Sequence, residues 1–191
     1  MGQYFRAAVE INGTFNVYDS LPNEHVPLKL TEHSWAGNSF VESVCALIYN
    51  QPANVAWVGD YANNEPTVLA KYLYQKCYAK KGYALQTTSR VIEETTFSMF
   101  EGDLFLVNHS KKIFVNCDSY KKRCERDGWC MHPLPLLTAV GNRQGGGDYY
   151  SVNSNDIGTW AWDKISIEDY PPNDFEEVGY LFLDSWMTER R

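Results

Sequence analysis

Five polar side chains spread along the chain could together build a site for a small ligand: His33, Asn38, Asp60, His109 and Arg143. An imidazole titrates near neutral pH and can donate or accept a proton. Asn38 stands where a helix would begin, and a helix N-terminus offers free N–H groups to an anion. One interpretation is therefore a small enzyme or a ligand-binding protein that acts on a nucleotide-derived ligand. The same residue types are also typical of helix caps and polar turns, so the question stays open.

A second group combines thiols with an imidazole and could bind zinc: Cys117, Cys124, Cys130 and His132. Tetrahedral zinc sites use these side chains, but the spacing C-x6-C-x5-C-x-H lacks the C-x2-C pair that marks a zinc ribbon. The chain has five cysteines, an odd number, which favours free thiols over a disulfide framework. We expect no metal and no other cofactor, with zinc at these four residues as the less favoured alternative.

A glycine-rich stretch at residues 141–148 ends in three consecutive glycines and Asp148. No Gly-Lys-Ser or Gly-Lys-Thr follows it, so it is not a phosphate-binding P-loop. No G-x-S-x-G elbow or recognised cysteine-protease signature is present either, and we assign no catalytic residues. The stretch predicts a flexible surface loop.

The charge is concentrated near the carboxyl end. The whole chain carries a formal charge of −7, and residues 141–191 hold ten acids and four bases, which gives −6. Phosphates would be repelled, so direct nucleic-acid binding is not expected as the main mode. The acids either form a solvated face or contact a basic protein surface. The candidate partner-binding residues are Asp148, Asp156, Asp163, Glu168, Asp169, Glu176 and Glu177.

Local patterns predict the elements that must position these side chains. Asn12-Gly13 predicts a hairpin turn between strands at 4–11 and 14–18. Apolar residues at helical spacing predict a helix at 39–49, capped by Asn38 or Gly37, and a second helix at 67–80. Further strands are predicted at 55–58, 103–108, 112–116, 164–168 and 178–183, whereas 132–137 contains too much proline for a helix. We predict one α+β domain over 1–191, with a mostly antiparallel sheet and two principal helices packed on one side.

The first residues lack a basic region followed by an apolar run, and no segment is apolar over the length that a bilayer requires. We therefore expect a cytoplasmic protein with no membrane partner.

Seven blocks of sequence resemble a largely uncharacterised family of small proteins from phages, prophages and mobile elements of gut bacteria. The blocks are M-G-Q-Y at 1–4, L-T-E-H-S-W-A-G-N at 30–38, V-A-W-V-G-D-Y-A at 55–62, L-V-N-H-S-K-K at 106–112, H-P-L-P-L-L-T-A-V-G-N at 132–142, G-G-G-D-Y at 145–149 and G-T-W-A-W-D-K-I-S at 158–166. This chain departs from the family pattern at Trp162, where related chains carry arginine, and at 142–144, which are richer in glycine elsewhere.

The resemblance extends to a type II anti-CRISPR, a protein that inhibits Cas9. It implies a non-enzymatic inhibitor that evades host defence by binding a host protein or ribonucleoprotein, such as guide-loaded Cas9, in the cytoplasm of the bacterial host. The acids near the carboxyl end fit this implication, because carboxylates can occupy a basic channel that normally holds phosphates.

Overall fold

The computed structural model describes residues 3–20, 27–62, 73–74, 96–125, 131–141 and 156–178. The predicted helix at 67–80 lies outside this part of the chain except for Leu73 and Tyr74, which are helical. The predicted strand at 178–183, apart from Val178, and the glycine-rich stretch beyond Gly141 also lie outside it.

The chain begins with the predicted hairpin. Strands β1 (Phe5–Ile11) and β2 (Thr14–Tyr18) pair antiparallel and are joined by Asn12 and Gly13. Both turn residues have positive φ, 52° and 73°, which is the backbone that a tight two-residue hairpin needs and that asparagine and glycine tolerate. The hairpin predicted from Asn12-Gly13 is therefore confirmed, and its register pairs Ile11 with Thr14.

The sheet of the described residues has the order β2-β1-β3-β7-β4-β5-β8, with β6 paired to β3. The remaining strands are β3 (Ala53–Gly59), β4 (Phe105–Asn108), β5 (Ile113–Asn116), β6 (Ala139–Val140), β7 (Lys164–Glu168) and β8 (Glu176–Glu177). Only the β3–β6 and β5–β8 pairs are parallel among them. The α+β class with a mostly antiparallel sheet is confirmed.

Four helices are described: α1 (Leu30–His33), α2 (Ser39–Leu47), α3 (Cys117–Glu125) and α4 (Pro133–Thr138). Helix α2 is the helix predicted at 39–49, and it is capped by Asn38 as expected. It ends before Asn50, whose positive φ of 51° is incompatible with a continued helix. None of the described helices is long and apolar enough to cross a membrane.

The prediction that 132–137 cannot be helical was wrong, because α4 occupies Pro133–Thr138. Proline is excluded from helix interiors since it lacks an N–H, but the first turn has no intrahelical partner for its N–H groups. Pro133 and Pro135 both fall in that first turn. The side chain of His132 accepts a hydrogen bond from the backbone N–H of Leu134, 3.2 Å away, and so caps the helix.

Both faces of the central strands are buried. Val55 and Trp57 of β3 belong to a large apolar cluster, and Ala56 and Val58 face a second, smaller one. Successive side chains of a strand point to opposite faces, so a continuous apolar run is what a doubly covered strand requires. The large cluster includes α2 and α4 and surrounds several of the polar residues considered above.

Candidate functional site

His33 is buried beneath α2 rather than exposed to a ligand. Its Nε2 accepts a hydrogen bond from Trp57 Nε1 at 2.8 Å, and the two rings lie nearly parallel with centroids 6.3 Å apart. Burial lowers the pKa of this imidazole to about 4, and smaller opposing contributions come from the backbone of Lys29 and the charge of Glu32. A neutral ring in this position supports packing of Trp57 and does not exchange protons with a solvent-borne ligand.

Asn38 and Asp60 also have local roles. The Oδ1 of Asn38 accepts hydrogen bonds from the N–H groups of Phe40 and Val41, at 3.1 and 3.2 Å, which is the geometry of a helix cap. Asp60 follows β3 directly, and its Oδ1 accepts from the backbone N–H of Tyr4 at 3.1 Å. Burial raises the pKa of Asp60, whereas hydrogen bonds from the backbone, including the one from Tyr4, lower it.

His109 belongs to a small polar network at the turn between β4 and β5. Its Nε2 lies 2.7 Å from Ser166 Oγ and 3.0 Å from Glu168 Oε1, and the Ser166 hydroxyl donates to the same Glu168 oxygen at 2.7 Å. In a Ser–His–acid triad the acid contacts the opposite ring nitrogen from the serine. Here both contact Nε2 and Ser166 is fully buried, so the network joins strands and does not activate a nucleophile.

The residues of the proposed small-ligand site are not brought together within the described structure. The backbone N–H of His109 donates to the carbonyl oxygen of Lys164, which pairs with Asn54 near the start of β3, whereas Asp60 follows the end of that strand. A seven-residue strand spans about 20 Å, so the two residues lie near opposite ends of β3. Arg143 lies outside the described residues.

Three of the predicted partner-binding acids are engaged within the protein, and one of them, Asp169, accepts hydrogen bonds from Tyr49 and Asn50. Asp163 pairs with Lys111 and accepts from Asn108 Nδ2 at 2.8 Å, and Glu168 contacts His109 as described. Asp156 is half-buried, and burial raises its pKa. The predicted acids that remain exposed in the described structure are Asp169, Glu176 and Glu177, while Asp148 lies outside it.

In the structure, His132 lies beside two residues that are distant from it in the sequence, Cys45 and Glu42. Cys45 Sγ lies 3.7 Å and Glu42 Oε1 3.8 Å from His132 Nε2, and the three side chains are buried. Ligands of a tetrahedral metal with bonds of 2.0–2.3 Å are about 3.3–3.8 Å apart, so these separations would fit zinc. Of the four cysteine and histidine residues predicted as ligands, only Cys117 and His132 have described side chains, and both are buried.

The orientation of the imidazole opposes a metal at this cluster. A metal-bound histidine normally donates its other ring N–H to an acceptor. The other nitrogen of His132, Nδ1, instead accepts from the Leu134 N–H, so the proton of the neutral ring lies on Nε2, facing Cys45. For the same reason His132 cannot accept a proton from the thiol, whose pKa is raised well above its usual range by burial. The cluster therefore forms a buried polar network in the core.

An open cleft of about 540 Å³ lies where α2 ends, β4 begins and β7 ends. Its aromatic side chains are Tyr49, Phe97 and Tyr170, and its remaining lining residues are Thr96, Ser98, Glu101, Gly102, Asp103, Leu104 and Asp169. Two of the four large hydrophobic side chains exposed in the described structure are cleft tyrosines, Tyr49 at 38% and Tyr170 at 83%. We call this feature the acidic cleft.

Among the described residues that line it, the acidic cleft has three carboxylates and no basic side chain. Asp169 accepts hydrogen bonds from the Tyr49 hydroxyl at 2.7 Å and from Asn50 Nδ2 at 3.2 Å, and the first of these raises the pKa of Tyr49. Glu101 and Asp103 are exposed, and no hydrogen bond or ion pair of their carboxylates is found within the described residues. The nearby ammonium of Lys121 instead donates to the carbonyl oxygen of Phe100.

Sequence reasoning identified one member of this cleft, Asp169, through the charge of the carboxyl-terminal segment. Glu101 and Asp103 lie in a stretch of nearly neutral net charge, and Tyr49 was considered only as the end of a helix. Their proximity depends on the pairing of β4 with β7, which joins Phe105 to Glu168. The net charge of successive sequence segments therefore could not predict that these residues lie close together.

No protein-family model, no curated protein and no solved structure matches this chain.

Proposed function

We propose that this protein is a non-enzymatic binding protein that docks its acidic cleft onto a basic surface of a protein partner. Following the resemblance stated above, the partner is a host defence nuclease complex such as guide-loaded Cas9, and the consequence of binding is inhibition. The proposal places the protein among mobile-element products that act by contact rather than by turnover.

The observation that carries the proposal is the combination of exposed carboxylates with exposed aromatic rings in one cleft. Glu101 and Asp103 carry negative charge that no described side chain neutralises, and Tyr170 is largely exposed to solvent. Aromatic side chains are enriched at the centres of protein interfaces, where they supply much of the binding energy. Complementary charge around them accelerates encounter and selects basic partners.

The burial of two imidazoles and one thiol also favours binding over catalysis. His33, His132 and Cys45 are buried in the large apolar cluster, where burial favours the neutral form of each. A general base must reach a substrate proton within hydrogen-bonding distance. These three side chains have no access to the acidic cleft or to solvent in the described structure.

The proposal is tested with the full chain, purified guide-loaded Cas9 and a variant that combines Glu101→Gln, Asp103→Asn and Asp169→Asn. Amides keep the shape of the carboxylates and remove only the charge. We expect the wild type to form a complex that elutes as one species and inhibits DNA cleavage. The triple variant should bind at least about tenfold more weakly, and the wild-type affinity should fall as salt is raised.

The matched control combines Glu176→Gln with Glu177→Gln, which removes two exposed charges of β8 outside the cleft lining. Its binding should stay within about twofold of wild type, because the proposed docking surface does not include these two predicted partner-binding acids and isolated exposed charges contribute little. Equal inhibition by the wild type and the triple variant would exclude the cleft as the docking surface. No complex with Cas9 or with any other nuclease recovered from host lysate would refute the proposed function.

A further inference from the structure

We propose that the acidic cleft is a receptor for one arginine side chain of the partner, held between aromatic rings and carboxylates. This inference rests on the proposed function for the origin of the arginine, and it assigns the chemistry of the occupant. The residues that carry it are Tyr49, Phe97, Asp169 and Tyr170, together with the lining carboxylates of Glu101 and Asp103.

The aromatic part of the cleft is suited to a flat cation. The rings of Tyr49 and Phe97 have centroids 5.4 Å apart at an interplanar angle of 53°, so they form one continuous aromatic surface. Tyr170 adds a third ring, and this residue is 83% exposed. A guanidinium within about 6 Å of such a ring is attracted by the negative face of its π-system, and this attraction increases when the pair is shielded from water.

The hydrogen bonds to Asp169 hold its carboxylate in one orientation. The Tyr49 hydroxyl donates to Oδ1 and Asn50 Nδ2 donates to Oδ2. A carboxylate has about four lone-pair positions, so each oxygen can still accept a second hydrogen bond. A guanidinium can supply two parallel N–H donors to such a group, and the fixed orientation reduces the entropy lost on binding.

Arginine fits this arrangement better than lysine does. Its guanidinium is planar, so it can stack on a ring while its edge faces a carboxylate, and it is more weakly hydrated than an ammonium. A lysine ammonium is a compact charge that would use the carboxylates but gain less from the aromatic surface. The volume of about 540 Å³ falls within the range of ligand pockets and leaves room for the residues beside the arginine in a peptide segment.

The probe is a capped tripeptide, Gly-Arg-Gly, titrated into the full chain while amide shifts near Tyr49, Asp103 and Asp169 are followed by NMR. Gly-Lys-Gly and the peptide with citrulline, the uncharged isostere of arginine, are the comparison ligands. We expect the arginine peptide to bind with a Kd of about 1–5 mM, at least threefold more tightly than lysine and at least about tenfold more tightly than citrulline.

Tyr170→Ala should weaken binding of the arginine peptide about threefold. Tyr170→Phe should keep the wild-type affinity, because the ring and not the hydroxyl makes the contact. Tyr4→Ala removes a comparably exposed tyrosine outside the cleft and should have no effect. Equal affinity for arginine and citrulline, or no shifts at about 10 mM peptide, would overturn the inference. Because this titration uses no partner, peptide binding without any nuclease complex would refute the proposed function alone.

Discussion

His132 combines two structural roles that both depend on a neutral ring. Its Nδ1 caps α4, and its Nε2 faces Cys45 and Glu42 in the core. Burial lowers the pKa of the imidazole to about 3, so the 3.8 Å contact with Glu42 is not an ion pair. Protonation of this ring would remove the acceptor of the cap and place a charge in an apolar environment. Acid stability of the protein should therefore depend on this residue.

The folded and unfolded states bind protons differently in the range set by the histidine shifts. An unfolded histidine titrates near 6.5, whereas folded His132 and His33 titrate near 3 and 4. Below pH 6.5 the unfolded state therefore binds more protons, and the free energy of unfolding falls by up to about 1.4 kcal/mol per pH unit for each histidine. Burial raises the pKa of Glu42, so at pH values above the usual pKa of a glutamate this residue makes the free energy of unfolding rise as the pH falls.

His132→Asn should make stability less sensitive to acid. Asparagine can keep the cap acceptor but has no titrating ring. Urea unfolding between pH 6.5 and 4.5 should give a slope of stability against pH that is lower by about 1 kcal/mol per unit in the variant than in the wild type. Parallel pH dependence in the two proteins would show that His132 is not the group responsible.

Sequence spacing could identify His132 as noteworthy but not its partners. The prediction grouped it with cysteines that follow one another along the chain, whereas the structure places it beside Cys45, 87 residues away. Such a contact depends on how α2 and α4 pack over the sheet, and no local pattern encodes it. The cap function of His132 was missed for a related reason, since the two prolines that follow were taken to exclude a helix.

Elements with strong local signals were predicted well. The first hairpin carries an Asn-Gly turn, and α2 carries a cap and an apolar stripe, so both could be read from a few neighbouring residues. Strands β4, β5 and β7 also agree with their predicted positions within two residues. Helix α3 was not predicted, because its sequence is mostly polar and offers no clear apolar period.

Asn38→Ala should destabilise the protein through α2 alone. The change leaves the N–H groups of Phe40 and Val41 without their acceptor, and loss of such a cap costs about 1 kcal/mol. Chemical denaturation followed by circular dichroism measures this difference. Asn38→Asp keeps an acceptor and adds a negative charge at the helix N-terminus, so it should match or slightly exceed the wild type. Equal stability of Asn38→Ala and the wild type would remove the cap assignment.

At the scale of the whole molecule, the large apolar cluster encloses reactive side chains from distant parts of the chain. Cys45 comes from α2 and Cys117 from the start of α3, and both are fully buried. Burial also raises the pKa of each thiol, so the reactive thiolate is rare in the folded state. Their reactivity should therefore report on opening of the core.

Iodoacetamide labelling, followed by mass spectrometry of the peptides containing Cys45 and Cys117, should show protection of at least about 100-fold relative to the protein in urea. The two cysteines should lose protection together as denaturant is added, because they belong to one cluster. Rapid labelling of either cysteine in the native protein would contradict the described packing. Peptides of the other three cysteines provide an internal comparison in the same digest.

The segment between α2 and β3 both extends the pairing of β3 with β7 and contributes to the acidic cleft. The ladder between β3 and β7 contains two residue pairs, and the backbones of Ile48 and Asn50 extend it through hydrogen bonds to Ile167. Tyr49, between them, supplies an aromatic wall of the cleft and donates to Asp169 just beyond β7. A ligand that contacts both Tyr49 and Asp169 would bridge the segment before β3 and the end of β7. Its binding would therefore raise the free energy needed to separate β3 from β7.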